Sequence, residues 1–349
     1  MLPASFVVSA YATAPPSGAD PTSRAEEATY YSLLHAIPSL GGFEVPLLAG
    51  GVMHGIDEPW LLSAISGSSR DDRPPLTYVL TTVPATMAAL GSTPELGLAS
   101  DVQAGREAAI AMVRLARDAV SRINAAAGRR GAVSGVVLVS APNTRCCRSS
   151  ADSLTASLVE IAAWDWEGAT LLVEHCDAAV QGRDPVKGFL PLEDELRAIR
   201  ATNAAAASTT SAEPILPVGV VINWGRSVIE ARDAAAADAH IAAAGPLLRG
   251  LVLSGCSGAP TDPAYGAWAD SHMPHEAVAA GSLLTVDALR SAVRAAAAAA
   301  AAGGRPLLYL SAKLGLRPVT APAASRAAAN VALLGELASA VAATVAVEG

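Results

Sequence analysis

The chain has few cysteines, no basic stripe and no uninterrupted apolar run of membrane-spanning length. Of its 349 residues four are cysteine, Cys146, Cys147, Cys176 and Cys256. They show no CxxC spacing and no framework of the kind that staples secreted domains, so a reducing cytoplasm is the expected setting. Lys and Arg number 24 against 32 Asp and Glu, a net charge of −8, which argues against nucleic acid as a partner. No GxGxxG follows the first apolar run, so a nucleotide cofactor is not expected. The mean hydropathy of +0.37 invites a membrane reading, yet much of it comes from alanine, as in the run 295–302. The apolar stretch 331–347 is broken by Glu336, Ser339 and Thr344 and reads as a last packed helix, so no membrane partner is expected. The N-terminus, MLPASFVVSA, carries no basic residue before its short apolar run, so a signal peptide is not expected.

What is present is a rhythm. Short apolar, β-rich runs occur at 6–10, 43–47, 76–82, 135–140, 170–175, 218–224, 251–254 and 306–311. They alternate with helix-like stretches at 23–37, 59–65, 102–126, 150–164, 192–201, 227–243, 285–302 and 324–345. The runs do not alternate cleanly between apolar and polar, as expected of parallel strands covered by helices on one side and packed inside on the other. Eight strands each followed by a helix predict an α/β fold of one (β/α)8 barrel domain spanning 1–349. The low-complexity segment 201–212, ATNAAAASTTSA, reads as a surface loop on the face away from the chemistry. The segment 66–75 is read the same way.

In such a barrel the functional residues stand at the C-terminal ends of the strands. The fifth run ends in VEHCD, which supplies Glu174, His175 and Asp177. Neighbouring residues of a strand face opposite ways, and Glu174 is expected to face inward as metal ligand, general base, hydroxyl anchor or partner of a buried cation. The sixth run continues as NWGRS, where Asn223 could orient a hydroxyl, Trp224 stack on a sugar and Arg226 grip a carboxylate or phosphate. Ser227 could equally cap the following helix.

After the seventh run, 255–282 is long enough for a lid and contains YGAWADSHMPHE, with Asp270, His272, His275 and Glu276. His272 is the candidate ligand or acid/base there, and His275 is expected to be exposed. Glu44, His54, Lys187, Lys313 and Arg317 complete the face. Gly255, Gly258, Lys313 and Arg317 are arranged as a phosphate site could be. Glu193 and Glu195 read as an acidic first helical turn, and Trp164 and Trp166 as packing.

The segments WDW at 164–166, VEHCD at 173–177, KGFLPLEDE at 187–195, INWGRS at 222–227 and GAWADSHMP at 266–274 resemble the motifs of a bacterial and fungal family catalogued as a domain of unknown function. The resemblance spans nearly the whole chain. More distantly the architecture is similar to the xylose-isomerase-like barrels, which include sugar isomerases, epimerases and endonucleases that use divalent metal. That likeness implies one divalent metal, Mn, Mg, Co or Zn, held by acidic or His ligands on the last four strands. Glu174 matches that pattern, while Asn223, Ser254 and Lys313 stand at the other strand ends.

The leading expectation is a carbohydrate-active isomerase or epimerase acting on a small sugar by proton abstraction next to a carbonyl. Glu174 would be base or metal ligand, His272 ligand or acid, and Lys187 or Lys313 the stabiliser of an enediolate oxygen. Glu44, His54, His175, Asn223, Trp224, Arg226 and Lys313 would bind substrate. A metal-free glycoside-type hydrolase using Glu44 and Glu174 and a noncatalytic ligand-binding protein are the alternatives. The sequence leaves a homo-oligomer open.

Overall fold

A computed structural model describes residues 2–67, 74–208, 215–259 and 265–348. The elements run β1 (Phe6–Val8), α1 (Ala10–Thr13), α2 (Pro21–His35), β2 (Leu40–Pro46), α3 (Glu58–Ser66), β3 (Thr77–Thr81), α4 (Val83–Leu90), α5 (Gln103–Ala126) and β4 (Val133–Leu138). They continue as α6 (Ala151–Ala162), β5 (Thr170–His175), α7 (Leu192–Ala207), β6 (Gly219–Asn223), α8 (Trp224–Ala231), α9 (Ala236–Ala244), β7 (Leu248–Leu253), α10 (Val286–Gly303), β8 (Tyr309–Ala312) and α11 (Ala323–Glu348). The strands follow one another around a closed barrel in chain order. The fold is the (β/α)8 barrel that the alternation predicts.

The chain divides into two compact units, Met1–Glu44 with Ile222–Gly349, and Val45–Val221. In the first, β1 pairs in parallel with β2 and with β8, and β7 pairs with β8. Small residues let its helices approach closely. Ala292, Ala296, Ala297, Ala299 and Ala300 lie on the buried face of α10, which packs against α9 and α11. Within α11, 323–346 is long and apolar enough to cross a membrane, with a mean hydropathy of 1.5. Its buried residues Leu333, Leu334 and Leu337 belong to a helix that packs on α2 and α10, which is the last-helix role read from the sequence.

In the second unit β3, β4 and β5 pair in parallel, with Val136 opposite Leu171 and Val137 opposite Leu172. Val136, Val137, Leu172 and Val173 are fully buried, as a strand covered on both faces requires. Helix α5 packs on α3, and α6 on α7.

Three local readings change. The single helix expected at 227–243 is two, because Arg232 adopts the left-handed conformation at φ 58° and ends α8. The Asp233 carboxylate then accepts the Ala235 N–H, turning the chain into α9. Helix α4 was not foreseen: it is eight residues long and begins one residue after the Thr82 that follows β3, with Pro84 in its first turn. Residues 201–207 continue α7 instead of opening a surface loop, since alanine is the best helix former. Residues 209–214, like 68–73 of the segment 66–75, lie outside the described residues.

Candidate active site

In the first unit two charged constellations gather behind the strand ends. Lys313, immediately after β8, places its ammonium 3.1 Å from Glu44 Oε2 and 3.4 Å from Oε1, and both side chains are buried. The ammonium also lies over the Tyr11 ring, 5.3 Å from its centroid, so an aromatic face and a carboxylate share one desolvated cation.

The second constellation is a chain of charges. Arg226, buried in α8, sets Nε 3.1 Å from Asp270 Oδ2. The other oxygen, Asp270 Oδ1, lies 3.2 Å from His272 Nδ1, and Ser254 Oγ is 2.9 Å from the same nitrogen. Asp270 and Ser254 thus both hold the Nδ1 side of the His272 ring. His272 keeps 19% of its side-chain exposure, Asp270 10% and Arg226 2%, so exposure rises along the chain of charges toward the imidazole.

His272 sits in the segment that follows β7, and that segment is tied down at several points. Gly255 and Met273 form an antiparallel bridge. Trp268 N–H donates to Ser257 O and Leu283 N–H to Cys256 O. Gly315 N–H, after β8, donates to His272 O at 2.7 Å. Both Trp268 and His272 hold a left-handed backbone, φ 54° and 52°, a conformation that costs a non-glycine residue about 1 kcal/mol or more. Arg232 covers the Trp268 ring at 4.7 Å and Arg317 the Tyr265 ring at 5.9 Å.

Other expectations in this unit change. Gly255 and Gly258 serve close packing: a Cβ on Gly255 would lie 2.5 Å from Met273 O, and one on Gly258 would strike the Trp268 ring. Arg317 stacks on Tyr265. His275, expected at the surface, is buried, and neither ring nitrogen has a hydrogen-bond partner among the described residues. Burial pushes its pKa down, against the weaker pull of Glu336 and Glu276. Trp224 is fully buried, so its ring belongs to the core and offers no open stacking face. Asn223 caps α8, its Oδ1 accepting the Arg226 N–H at 3.3 Å, and thereby fixes the start of the helix that carries Arg226. Ser227 lies inside α8, with Oγ 3.0 Å from His240 Nδ1.

In the second unit Glu174 and His175 are the last residues of β5, and both are fully buried. His175 Nδ1 lies 2.8 Å from Glu195 Oε2, and Glu195 Oε1 accepts the Ser140 hydroxyl at 2.5 Å. Glu195 belongs to α7, the helix that follows β5, so His175 points to the helix layer. By strand alternation Glu174 points to the barrel interior, as the sequence reading favours. Asp177 organises what comes next: its Oδ2 accepts the N–H groups of Val186, Lys187 and Gly188 at 2.6, 2.8 and 3.4 Å. The turn so made carries Lys187, which is buried. His54 Nδ1 accepts the N–H of Asp57 at 2.8 Å and of Ile56 at 3.3 Å, with Trp60 edge-on at 5.4 Å, so the imidazole shapes the turn into α3. Trp164 and Trp166 stack on each other at 6.1 Å, as packing predicts.

Two members escaped the sequence reading. Glu195 is no solvated first-turn acid, unlike exposed Glu193. It stands in register with Leu192, Leu196 and Ile199 on the buried face of α7, and a carboxylate on an apolar stripe is the signal that could have found it. Tyr11 lies in the first residues after β1 and carried no such mark.

Comparison with known proteins follows the same lines. The uncharacterized protein STM3670 of Salmonella typhimurium is 31% identical over 296 residues, 83% of this chain and 85% of that one. A solved structure described as a xylose isomerase-like TIM barrel protein from Mycobacterium smegmatis in complex with magnesium aligns with 97% of each chain. Its TM-score is 0.52 at 12% identity, a likeness of fold. Residues 7–329 match the family described as a domain of unknown function, DUF4862. With that match over most of its length, this (β/α)8 barrel is a member of the DUF4862 family.

Proposed function

We propose that the protein is a carbohydrate-active isomerase or epimerase that moves a proton next to the carbonyl of a small sugar or sugar derivative. The observation that carries the reading is the relay from Arg226 through Asp270 to His272. In this reading Arg226 compensates the Asp270 charge, Asp270 orients the imidazole through Nδ1, and His272 takes a proton from carbon and returns it. Such a base needs a cation to stabilise the oxygen that becomes negative as the proton leaves. Lys313 is a buried ammonium fixed by Glu44. Glu44 is taken up by its contact with Lys313, which disfavours the glycosidase alternative that needs this carboxylate at the bond to be cleaved.

The magnesium held by the Mycobacterium smegmatis barrel makes a divalent cation the cofactor to consider. Glu174, a fully buried carboxylate at the end of β5, suits it as an oxygen donor, while His272, serving as the base, keeps its ring nitrogen for the proton. A bound cation would polarise the substrate carbonyl.

The test is solvent exchange. A panel of aldoses and ketoses incubated with the protein in D2O is expected to take up deuterium at the carbon beside the carbonyl, and His272→Gln is expected to abolish it. Absence of exchange across the panel, or exchange undiminished in His272→Gln, overturns the reading.

A further inference from the structure

Cys146 and Cys147 are adjacent in sequence and lie in the connection after β4, in the second unit. Their sulfurs are 3.7 Å apart, and the Cys147 thiol reaches Pro94 O at 3.2 Å. Cys146 is exposed and Cys147 half-buried, while Cys176 and Cys256 are buried. The turn that holds the pair is built on one carbonyl. Asn143 O accepts the N–H of Cys146 at 3.3 Å and of Cys147 at 3.0 Å, and the Cys146 thiol points to it at 3.5 Å.

The same turn is fastened to the connection after β5. Thr144 N–H and hydroxyl both donate to Gly188 O, at 2.8 and 3.1 Å. Arg145 pairs with Asp184 at 3.1 Å and donates to Val180 O at 2.7 Å. Gly188 holds φ +68°, and a Cβ there would lie 2.7 Å from the Asn143 amide, so the two connections touch with no slack. Gly188 directly follows Lys187.

We infer that Cys146 and Cys147 form a redox-responsive vicinal dithiol, closed to a disulfide by a low-molecular-weight disulfide, and that closure loosens the turn that carries Lys187. The exposed Cys146 thiolate attacks one sulfur of the oxidant, forming a mixed disulfide and expelling one small thiol. The Cys147 thiolate then attacks the Cys146 sulfur and expels the second. Two protein thiols are oxidised, one oxidant disulfide is reduced to two thiols, and the two protons pass to those leaving groups. The order follows exposure: desolvation and the contact with Cys146 push the Cys147 thiol pKa up, so it serves as the resolving group.

Bond formation draws the sulfurs from 3.7 Å to about 2.05 Å. Adjacent Cα atoms are about 3.8 Å apart across a trans peptide, short of the usual disulfide span. The ring is therefore strained and readily reduced, which suits a reversible device and not a structural staple. Its closure reorients the peptide between the two residues and costs the bond from Cys147 N–H to Asn143 O.

Glutathione disulfide added to the intact protein is the direct test, read by intact mass, peptide mapping and amide hydrogen exchange. Expected are loss of two of the four thiols, a mass lower by two hydrogen atoms and mapped to the Cys146–Cys147 peptide, and recovery with dithiothreitol. Amides at 144 and 186–189 should exchange faster in the oxidised form. Cys147→Ser should stop at a glutathione adduct on Cys146. The inference is overturned if the wild type does not react, stops at that adduct or forms disulfide-linked dimers. It is overturned equally if the internal disulfide forms while exchange at 186–189 stays the same. None of these readouts depends on the isomerase reading.

Discussion

Lys313 and Glu44 form an ion pair 3.1 Å long with side-chain exposures of 1% and 3%, between residues 269 positions apart. Removing one partner strands a buried charge, so Glu44→Gln is expected to destabilise the protein by about 3–5 kcal/mol. The double variant Glu44→Leu with Lys313→Met, which removes both charges, should recover much of that stability. Sugar-dependent deuterium exchange should stay lost. Urea denaturation beside the exchange assay separates the two roles. Exchange restored in the double variant would reduce the pair to a structural one.

Asp270 acts through His272, so its replacement should damage rate more than fold. Asp270→Asn is expected to lower kcat about 10²- to 10⁴-fold by releasing the Nδ1 tautomer. The pH profile should shift, because the imidazolium loses its counter-charge. A profile unchanged in shape would show that Asp270 does not set the imidazole's protonation.

His275 makes stability depend on pH. Burial lowers its folded pKa, while Glu336 and Glu276 oppose that shift more weakly. In the unfolded chain it protonates near its ordinary value, about 6.5. Below that pH the unfolded state binds a proton that the folded state does not, so stability is present above about 6.5 and falls as the pH drops. Urea midpoints at pH 7.5 and pH 5.5 should diverge more for the wild type than for His275→Asn. Equal divergence would mean that other groups carry the acid sensitivity.

Metal content can be read without knowing the substrate. Protein purified without a metal-affinity tag is expected to hold one equivalent of Mn, Mg, Co or Zn, lost in Glu174→Gln. Full retention in Glu174→Gln would remove that carboxylate as a ligand.

Several residues of the candidate site were marked in the sequence because they stand where barrel strands end. Glu174 and His175 close β5 where the apolar run stops, and Asp270 and His272 were marked by a connection too long for a turn. Glu195 was misread because a run of acids at a helix start is usually solvated. Its register with Leu192 and Ile199 carried the contrary signal. His275 was misread because a polar residue beside Pro274 in a long loop looks exposed, and only the packing of that loop hides it.

Composition and periodicity by themselves determined the number and order of the strands, the parallel barrel and the face on which chemistry could sit. Those follow from hydrogen-bonding geometry and apolar burial, which repeat along the chain and can be read locally. The pairing of Lys313 with Glu44, the anchoring of His175 on Glu195 and the ordering of Arg226, Asp270 and His272 were decided only by tertiary structure. Each joins groups brought together by barrel closure, by a helix folding back on its strand, or by a left-handed turn at φ 52°. Partner choice among charges is set by which few ångströms of space remain after packing, and local sequence periodicity does not encode it.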